Sequence, residues 1–155
     1  WSVEVDGQIG WPPAVVDDTV YVGCGDGTLC ALAASDGTEQ WRFETGKVVA
    51  PAPAVVDGAV YIGGGDGLLY ALEATDGTER WSFEMEYGVG SSPAVTDEAA
   101  YVAGNNGTVY ALAPRDGTEQ WQFETADSWV SSVVVVDGTL YAGTPDGTIY
   151  ALTEE

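Results

Sequence analysis

The chain has 155 residues, of which 45% are hydrophobic, enough for one ordinary domain with a core. Its 25 acidic residues outnumber 4 basic ones and it has no histidine, for a net charge of −21. Because phosphate groups are bound by clustered Lys and Arg, this balance excludes nucleic acid and anionic membranes as expected partners.

The acidic excess has two further interpretations, disorder and adaptation to salt. Disordered chains lack the aromatic and β-branched residues that are abundant here. In molar salt the Debye length falls to about 3 Å, which screens the repulsion between carboxylates and leaves a hydrated acidic surface soluble. We therefore expect a halophilic source, in particular a halophilic archaeon.

Cys24 and Cys30 are the only cysteines, and their spacing fits no metal-binding or redox motif with partner ligands. They flank a predicted hairpin turn. A cross-strand disulfide is therefore conceivable, although we prefer two small buried apolar residues. No apolar run is long enough for a transmembrane helix, so we predict no membrane insertion. No signal peptide is visible, and without an initiator Met the chain is expected to be processed or part of something longer.

A tryptophan-centred pattern recurs every 40 residues. It reads Trp41-Arg42-Phe43-Glu44 and returns at Trp81 and Trp121, with a weaker copy at Trp1. A fixed period is typical of repeat proteins, whose units bury their apolar faces against one another. We divide the single domain, residues 1–155, into the repeats 1–40, 41–80, 81–120 and 121–155.

Each repeat carries the signals of four short strands. The segment from Trp41 alternates apolar and polar residues, as a half-buried strand does. After a variable connector, Pro53-Ala54-Val55-Val56 is typical of a buried strand, and Asp57-Gly58 predicts a tight hairpin. Two further strands, at 59–63 and 69–72, are joined by a glycine-rich hairpin. We expect positive φ at one glycine of this hairpin in every repeat: Gly27, Gly67, Gly107 and Gly147.

Four hairpin-connected strands with no helical period describe a blade of an all-β propeller. A stacked β-solenoid is the rival, but its coils are usually shorter and lack three hairpin signals per unit. The run from Ala71 to Trp81, Ala-Leu-Glu-Ala-Thr-Asp-Gly-Thr-Glu-Arg-Trp, is preceded by Pro-Ala-Val-Val-Asp-Gly at 53–58. Together they resemble the pyrroloquinoline-quinone-type (PQQ-like) propeller repeat across essentially the whole chain. The resemblance implies that one tryptophan per repeat lies on an outermost strand and docks adjacent blades: Trp1, Trp41, Trp81 and Trp121.

An outermost strand is predicted over Trp1 to Val5, ahead of the first full blade, and the last repeat has its third strand at 150–152. We expect the first strand to complete the last blade, which removes two exposed sheet edges. Closure within one chain gives a four-bladed ring, and closure between two chains gives an eight-bladed ring with two-fold symmetry. We prefer the homo-oligomer of two chains, because inner-strand valines would crowd the axis of four blades: Val16, Val56 and Val136. A larger propeller is the third arrangement.

The resemblance also brings quinone-dependent alcohol dehydrogenases to mind, which hold calcium or a lanthanide through Glu, Asn and Asp and use a basic Asp. No residue here can be assigned to these roles, and Cys24 and Cys30 are not adjacent, as the paired cysteines of those enzymes often are. No Ser-His-Asp set, zinc-ligand set or phosphate loop is present. The acidic turns at 25–27 and 146–147 are better explained as turn formers than as calcium ligands. We predict that the chain has no catalytic, metal-binding or cofactor-binding residue and no cofactor. The alternative is that the chain is part of a quinone-dependent dehydrogenase.

The repeats differ most in the connectors between outermost and innermost strands. In a propeller, these connectors share one end with the glycine-rich hairpins, around the mouth of the channel. Their aromatic residues, with nearby polar ones, predict a partner-binding patch: Trp11, Lys47, Tyr87, Asn105, Asn106 and Trp129. The alternative is that Trp11 and Trp129 plug the channel.

These observations predict a noncatalytic binding or assembly scaffold that contacts its partner through the connectors. The partner is a protein or a small-molecule ligand. The resemblance includes envelope assembly lipoproteins and sensor regions, which implies an envelope or extracellular location.

Overall fold

The computed structural model describes residues 1–47, 49, 51–126 and 129–153. Parts of the second and fourth connectors and the last two residues therefore lie outside the described residues. The described residues form β-strands without a helix, arranged in four antiparallel sheets whose strand order follows the chain. This confirms the predicted all-β propeller of antiparallel blades.

The first three sheets have four strands each and the last has three. The first blade comprises β1 (Ala14–Val16), β2 (Thr19–Gly23), β3 (Thr28–Ala33) and β4 (Glu39–Glu44). The second comprises β5 (Ala54–Val56), β6 (Ala59–Gly63), β7 (Leu68–Glu73) and β8 (Glu79–Glu84). The third comprises β9 (Ala94–Val95), β10 (Ala100–Ala103), β11 (Thr108–Leu112) and β12 (Glu119–Glu124). The fourth comprises β13 (Ser132–Val136), β14 (Thr139–Gly143) and β15 (Ile149–Thr153).

Tight hairpins join the first two strands of the blades. Asp57 and Gly58 have φ of 49° and 69°, the two successive positive values of a type I′ turn. The same signs occur at Asp17-Asp18 and Asp137-Gly138. The third blade turns differently, because the Thr96 hydroxyl accepts hydrogen bonds from the backbone N–H groups of Glu98 and Ala99. Positive φ is also confirmed at the predicted hairpin glycines: Gly27, Gly67, Gly107 and Gly147.

The hydrophobic core lies mainly between blades. At the first junction, Tyr21 and Leu29 of the first blade are buried in one cluster with Ile62 and Leu72 of the second. The aromatic ring of Tyr21 also lies 5.8 Å from that of Trp41, in a tilted arrangement that aromatic pairs favour. Because each blade buries one face against the next, a blade at either end of the chain has an unfilled face.

The predicted outermost strand over Trp1–Val5 is not formed in the single chain. Residues 1–13 contain no strand, although the Trp1 side chain lies on the first blade and donates a 2.9 Å hydrogen bond to the Ala34 carbonyl. The edge to which this segment was expected to add, β15, lies at the other end of the chain. Among the described strands, those of the first blade make no contact with those of the fourth. The four blades thus form an open arc, and closure within one chain is not the arrangement observed.

Candidate binding surface

Hydrogen bonds place the connectors and the glycine-rich hairpins at one end of the arc. The Gly25 N–H donates to the Gln8 carbonyl at 2.8 Å, and the Asn105 N–H donates to the Gly88 carbonyl at 3.2 Å. On the other side of the second connector, the Thr45 N–H donates to the Gly27 carbonyl at 2.8 Å. These bonds hold Gln8, Thr45 and Gly88 against the hairpins, so the described parts of these connectors and the hairpins lie at the same end.

Three aromatic side chains of the connectors are exposed to solvent. The exposed fraction is 48% for Trp11, 57% for Tyr87 and 43% for Trp129. Trp11 also lines an open cleft of about 380 Å³ with Gly25 and Asp26 of the first hairpin. Large aromatic side chains usually bury most of their surface, so these three offer apolar area that the blades themselves do not use. In the single chain neither Trp11 nor Trp129 is buried as a channel plug.

Lys47 presents an exposed side chain above a tightly packed backbone. The Thr45 hydroxyl donates a 2.7 Å hydrogen bond to the Lys47 carbonyl. A methyl group at Gly27 would lie 2.5 Å from that carbonyl oxygen, so only glycine permits the close approach. Gly27 is thus required for the close packing of the connector as well as for its positive φ of 94°.

Asn105 and Asn106, also assigned to the patch, are engaged in local hydrogen bonds. The Asn105 side-chain amide donates to the Tyr87 carbonyl at 3.1 Å, which holds the third connector against its hairpin. The side-chain Oδ1 of Asn106 accepts a hydrogen bond from the Thr108 N–H at 3.2 Å. Asp26 makes the same bond with Thr28 at 3.0 Å. Aligning the repeats places Asn106 at the aspartate position of the other hairpins, a signal of a turn-forming role that sequence reasoning missed.

The tryptophans of the repeated pattern lie at blade junctions, away from this end. Trp41 and Trp81 are buried, Trp121 is half-buried and Trp1 is exposed. The Trp81 indole N–H donates to the Pro114 carbonyl of the following blade at 2.8 Å. A methyl group at Gly117 would lie 2.6 Å from its ring. Sequence reasoning missed this glycine seat, although a glycine at the same position of three repeats was its signal: Gly37, Gly77 and Gly117.

The surface around the patch is acidic. Every Asp and Glu that the structure describes is exposed, except the half-buried Glu73. Ion pairs occupy two of the four basic residues, with Arg42 joined to Glu39 at 2.6 Å and Arg80 to Glu73 at 2.8 Å. The hydrogen bonds from these guanidinium groups lower the pKa of both Glu carboxyls. The exposed glutamates of the outer strands include Glu44, Glu84 and Glu124.

Cys24 and Cys30 are buried free thiols, the arrangement that we preferred to a disulfide. Burial raises the pKa of both thiols, that of Cys30 to about 12. Such a shift keeps the thiol protonated and poorly nucleophilic near neutral pH. Neither cysteine is placed at the connector end as an accessible reactive group.

Two further features of the described residues concern metal ions and membranes. Within the described ranges, no group of three or more His, Cys, Asp or Glu side chains is placed to hold a metal ion. In the same part of the chain, no helix is long and apolar enough to cross a membrane.

A family model described as outer membrane protein assembly factor BamB matches residues 1–53 and 33–155. No curated protein matches the sequence. Among solved structures, BamB from Moraxella catarrhalis is 19% identical, with a TM-score of 0.85 over 98% of this chain and 52% of that one. The chain thus spans about half the length of that protein.

Two other structures have the same architecture. The computationally designed Ika4 protein is 20% identical, with a TM-score of 0.88 over 97% of this chain and 93% of that one. The quinohemoprotein alcohol dehydrogenase from Comamonas testosteroni is 19% identical, with a TM-score of 0.79 over 94% of this chain and 33% of that one. At these identities the likeness shows the fold alone, which both binding proteins and enzymes use.

Proposed function

The chain belongs to the family of outer membrane protein assembly factor BamB, and from this premise we propose that it is a noncatalytic scaffold that binds a protein partner at its connector end. The observation that carries the proposal is the exposure of three connector aromatics, Trp11, Tyr87 and Trp129. Trp and Tyr are enriched among the residues that dominate binding energy at protein interfaces. The family description supports a location in the cell envelope or outside the cell.

The contrast between two sets of tryptophans supports the choice of this end. Trp41 and Trp81 are 8% and 7% exposed and dock neighbouring blades. The recurrence of tryptophan at this position of the repeat therefore follows from packing between blades. Trp11 and Trp129 stand at connector positions where the other repeats have no tryptophan, and both are exposed. Side chains that vary between otherwise similar units are free of the packing requirement and available for recognition.

Charge indicates the chemistry of the partner. Asp26 lines the same cleft as Trp11, and Asp6, Asp66 and Glu86 are exposed on the connectors and hairpins nearby. Lys47 is the single basic member of the predicted patch. A surface that combines aromatic and carboxylate groups complements a segment with Arg or Lys beside apolar residues. We therefore expect the partner to present a basic and apolar stretch.

The second candidate, part of a quinone-dependent dehydrogenase, is supported only by the fold likeness to the Comamonas enzyme. No residue of the chain is assigned to the calcium-ligand or base role of such an enzyme, so no catalytic step is derived for it. Titration with pyrroloquinoline quinone and calcium separates the candidates. A red-shifted quinone absorbance with dye reduction would favour the dehydrogenase and contradict the scaffold.

The scaffold is tested by capture and then by direct titration. The immobilised chain is exposed in molar KCl to a detergent-solubilised envelope fraction, and each captured protein is purified and titrated against the chain. We expect Trp11→Ala with Tyr87→Ala and Trp129→Ala to weaken the titrated affinity at least tenfold while near-ultraviolet circular dichroism shows retained folding. The matched control, Ser82→Ala with Gln122→Ala on exposed outer-strand positions, should bind normally. Equal affinity of both variants would contradict the proposal.

A further inference from the structure

The fourth blade exposes an apolar face that the other blades bury. Ile149 is 75% exposed, whereas the residues at its position in the earlier repeats, Leu29, Leu69 and Val109, are fully buried against the next blade. Tyr141 is likewise exposed, although its three counterparts are buried. We call this surface the leading face and define it by its exposed apolar residues: Val134, Val136, Tyr141, Ile149 and Ala151.

The first blade exposes the complementary surface at the other end of the arc. Val15 is exposed, whereas its counterpart in the second blade, Val55, packs into the first junction. Ile9 is 56% exposed, whereas its counterpart Val49 is 1% exposed. Val49 packs so closely on the preceding blade that a methyl group at Gly23 would clash with its side chain. We call this surface the trailing face and define it by three exposed residues: Val3, Ile9 and Val15.

The free edge of the fourth blade has room for another strand. β15 pairs with β14 and with no other described strand. Beside it lies an open cleft of about 430 Å³, lined by Trp121 and Phe123 of β12 and by Ala151 and Leu152 of β15. An unpaired strand edge next to an apolar cleft is a template for strand addition.

We propose that a second copy of this chain fills both ends, so that two open arcs close into one eight-bladed ring. The leading face of each copy receives the trailing face of the other, and residues 1–4 of each copy extend β15 of its partner. The two junctions are identical by two-fold symmetry and repeat the chemistry of the internal junctions. This inference does not depend on the proposed partner-binding function.

The internal blades fix the register of the added strand. In the first blade Leu29 lies opposite Phe43, and Ala31 lies opposite Trp41. The equivalent pairs across the new junction are Ile149 with Val3 and Ala151 with Trp1. Both pairs are apolar, so the exposed area that they cover is removed from water on association.

The position of Trp1 explains why the occupant is another molecule. Its indole N–H bonds to Ala34, and its ring lies on Gly37 as that of Trp41 lies on Gly77. The first residues of the chain are therefore already seated on their own first blade, as the outer strand of a preceding blade would be. Because the first and fourth blades make no contact among the described strands, the β15 edge is open to the first residues of a second copy. Two chains of charge −21 associate only where salt screens their repulsion.

Light scattering in molar KCl tests the stoichiometry. We expect a single species of twice the 16.2 kDa chain mass. Ile149→Asp should dissociate it to folded single chains, because a buried unpaired carboxylate at the junction is costly, while Ser82→Asp on the exposed outer strand should leave it paired. A single-chain mass for the unaltered protein, or a ladder of larger masses, would overturn the closed pair.

Cross-linking tests the register and the exchange. Val3→Cys with Ile149→Cys is treated with a short bismaleimide, since directly opposed residues have Cβ atoms about 5 Å apart. The native thiols are buried and remain as background. We expect a covalent species of two chains on a denaturing gel, and none with Val3→Cys plus Ser82→Cys. A cross-link confined to one chain would show single-chain closure and overturn the proposal.

Discussion

The indole N–H of Trp41 donates a 2.9 Å hydrogen bond to the carbonyl oxygen of Ala74 across the first blade junction. Trp81 makes the same bond to Pro114, and Trp1 makes it to Ala34. Donor and acceptor are separated by 33 residues in each case. One side chain per repeat therefore ties an outermost strand to the turn of the following blade and fixes how the blades are spaced.

Removal of one such indole should destabilise the fold strongly. Trp81→Ala deletes a buried ring, its bond to Pro114 and its contact with Tyr61, at a ring distance of 5.8 Å. We expect the free energy of unfolding to fall by about 3–5 kcal/mol, measured by urea denaturation in molar KCl. Trp11→Ala removes an exposed indole and should change it by less than about 0.5 kcal/mol. Equal losses would show that Trp81 does not hold the junction.

The glycine beneath each indole should be irreplaceable for a steric reason that can be isolated. Gly77 and Gly46 have φ of 74° and 75°, so alanine incurs the same backbone strain at both, about 1–2 kcal/mol. A methyl group at Gly77 would lie 2.5 Å from the Trp41 ring, whereas one at Gly46 meets nothing within 4 Å. Gly77→Ala should therefore lower the free energy of unfolding by at least about 1 kcal/mol more than Gly46→Ala. Equal effects in urea denaturation would rule out the ring contact.

The strand pattern and the hairpins could be predicted from sequence because they depend on local chemistry repeated at a fixed interval. Asp57-Gly58 forms the expected turn, and alternation around Trp41 produces the expected outer strand β4. Trp1 shows the limit of this reasoning. Its segment carries the same pattern, but a strand forms only beside a free edge, and none of the described strands of this chain pairs with it.

The candidate site shows a second limit. Exposure of Trp11 followed from its place in a variable connector, whereas the engagement of Asn105 with the Tyr87 carbonyl depends on how two distant loops meet. The amino-acid composition does not encode the distance between these two loops. The usable signal in the sequence was the alignment of Asn106 with Asp26, which indicates a turn-forming role for Asn106.

The cysteines should be unreactive until the chain unfolds. Burial raises the pKa of Cys30 to about 12, so the thiolate is scarce at pH 8. We expect both native thiols to react with 5,5′-dithiobis(2-nitrobenzoic acid) only at the rate of unfolding in urea, whereas Ser82→Cys, on the exposed outer strand, adds one fast equivalent. Since the folded pKa is raised, stability should be full below the unfolded value, about 8.5, and decline as pH rises toward 12. Rapid labelling of the folded native chain would contradict this.

Salt should stabilise the fold. The described carboxylates lie at the surface and the net charge is −21, so repulsion is strong at low ionic strength. We expect the melting temperature to rise steeply between millimolar and molar KCl, as the Debye length falls from tens of ångströms to about 3 Å. Sucrose at equal osmolality, which does not screen charge, should reproduce little of the rise. A melting temperature indifferent to KCl would remove the support for adaptation to salt.

Acid should weaken the turns that precede the outermost strands. The backbone N–H of Thr78 donates a 3.0 Å hydrogen bond to Asp76, which lowers the pKa of that carboxyl, and Thr38 and Thr118 do the same for Asp36 and Asp116. A depressed folded pKa contributes stability that is full above the unfolded value, about 4, and is lost as pH falls below it. In molar KCl, where long-range repulsion is screened, the free energy of unfolding should therefore decline below about pH 4.

The amide variant separates the charge from the turn. Asp76→Asn retains an oxygen that accepts the Thr78 N–H, as Asn106 does for Thr108, but it does not titrate. We expect the variant to fold and to show a shallower acid decline of the free energy of unfolding in molar KCl. Glu84→Gln, at an exposed outer-strand carboxylate, serves as the matched control and should leave the slope unchanged. An identical acid slope in Asp76→Asn and the unaltered chain would mean that protonation of Asp76 does not weaken this turn.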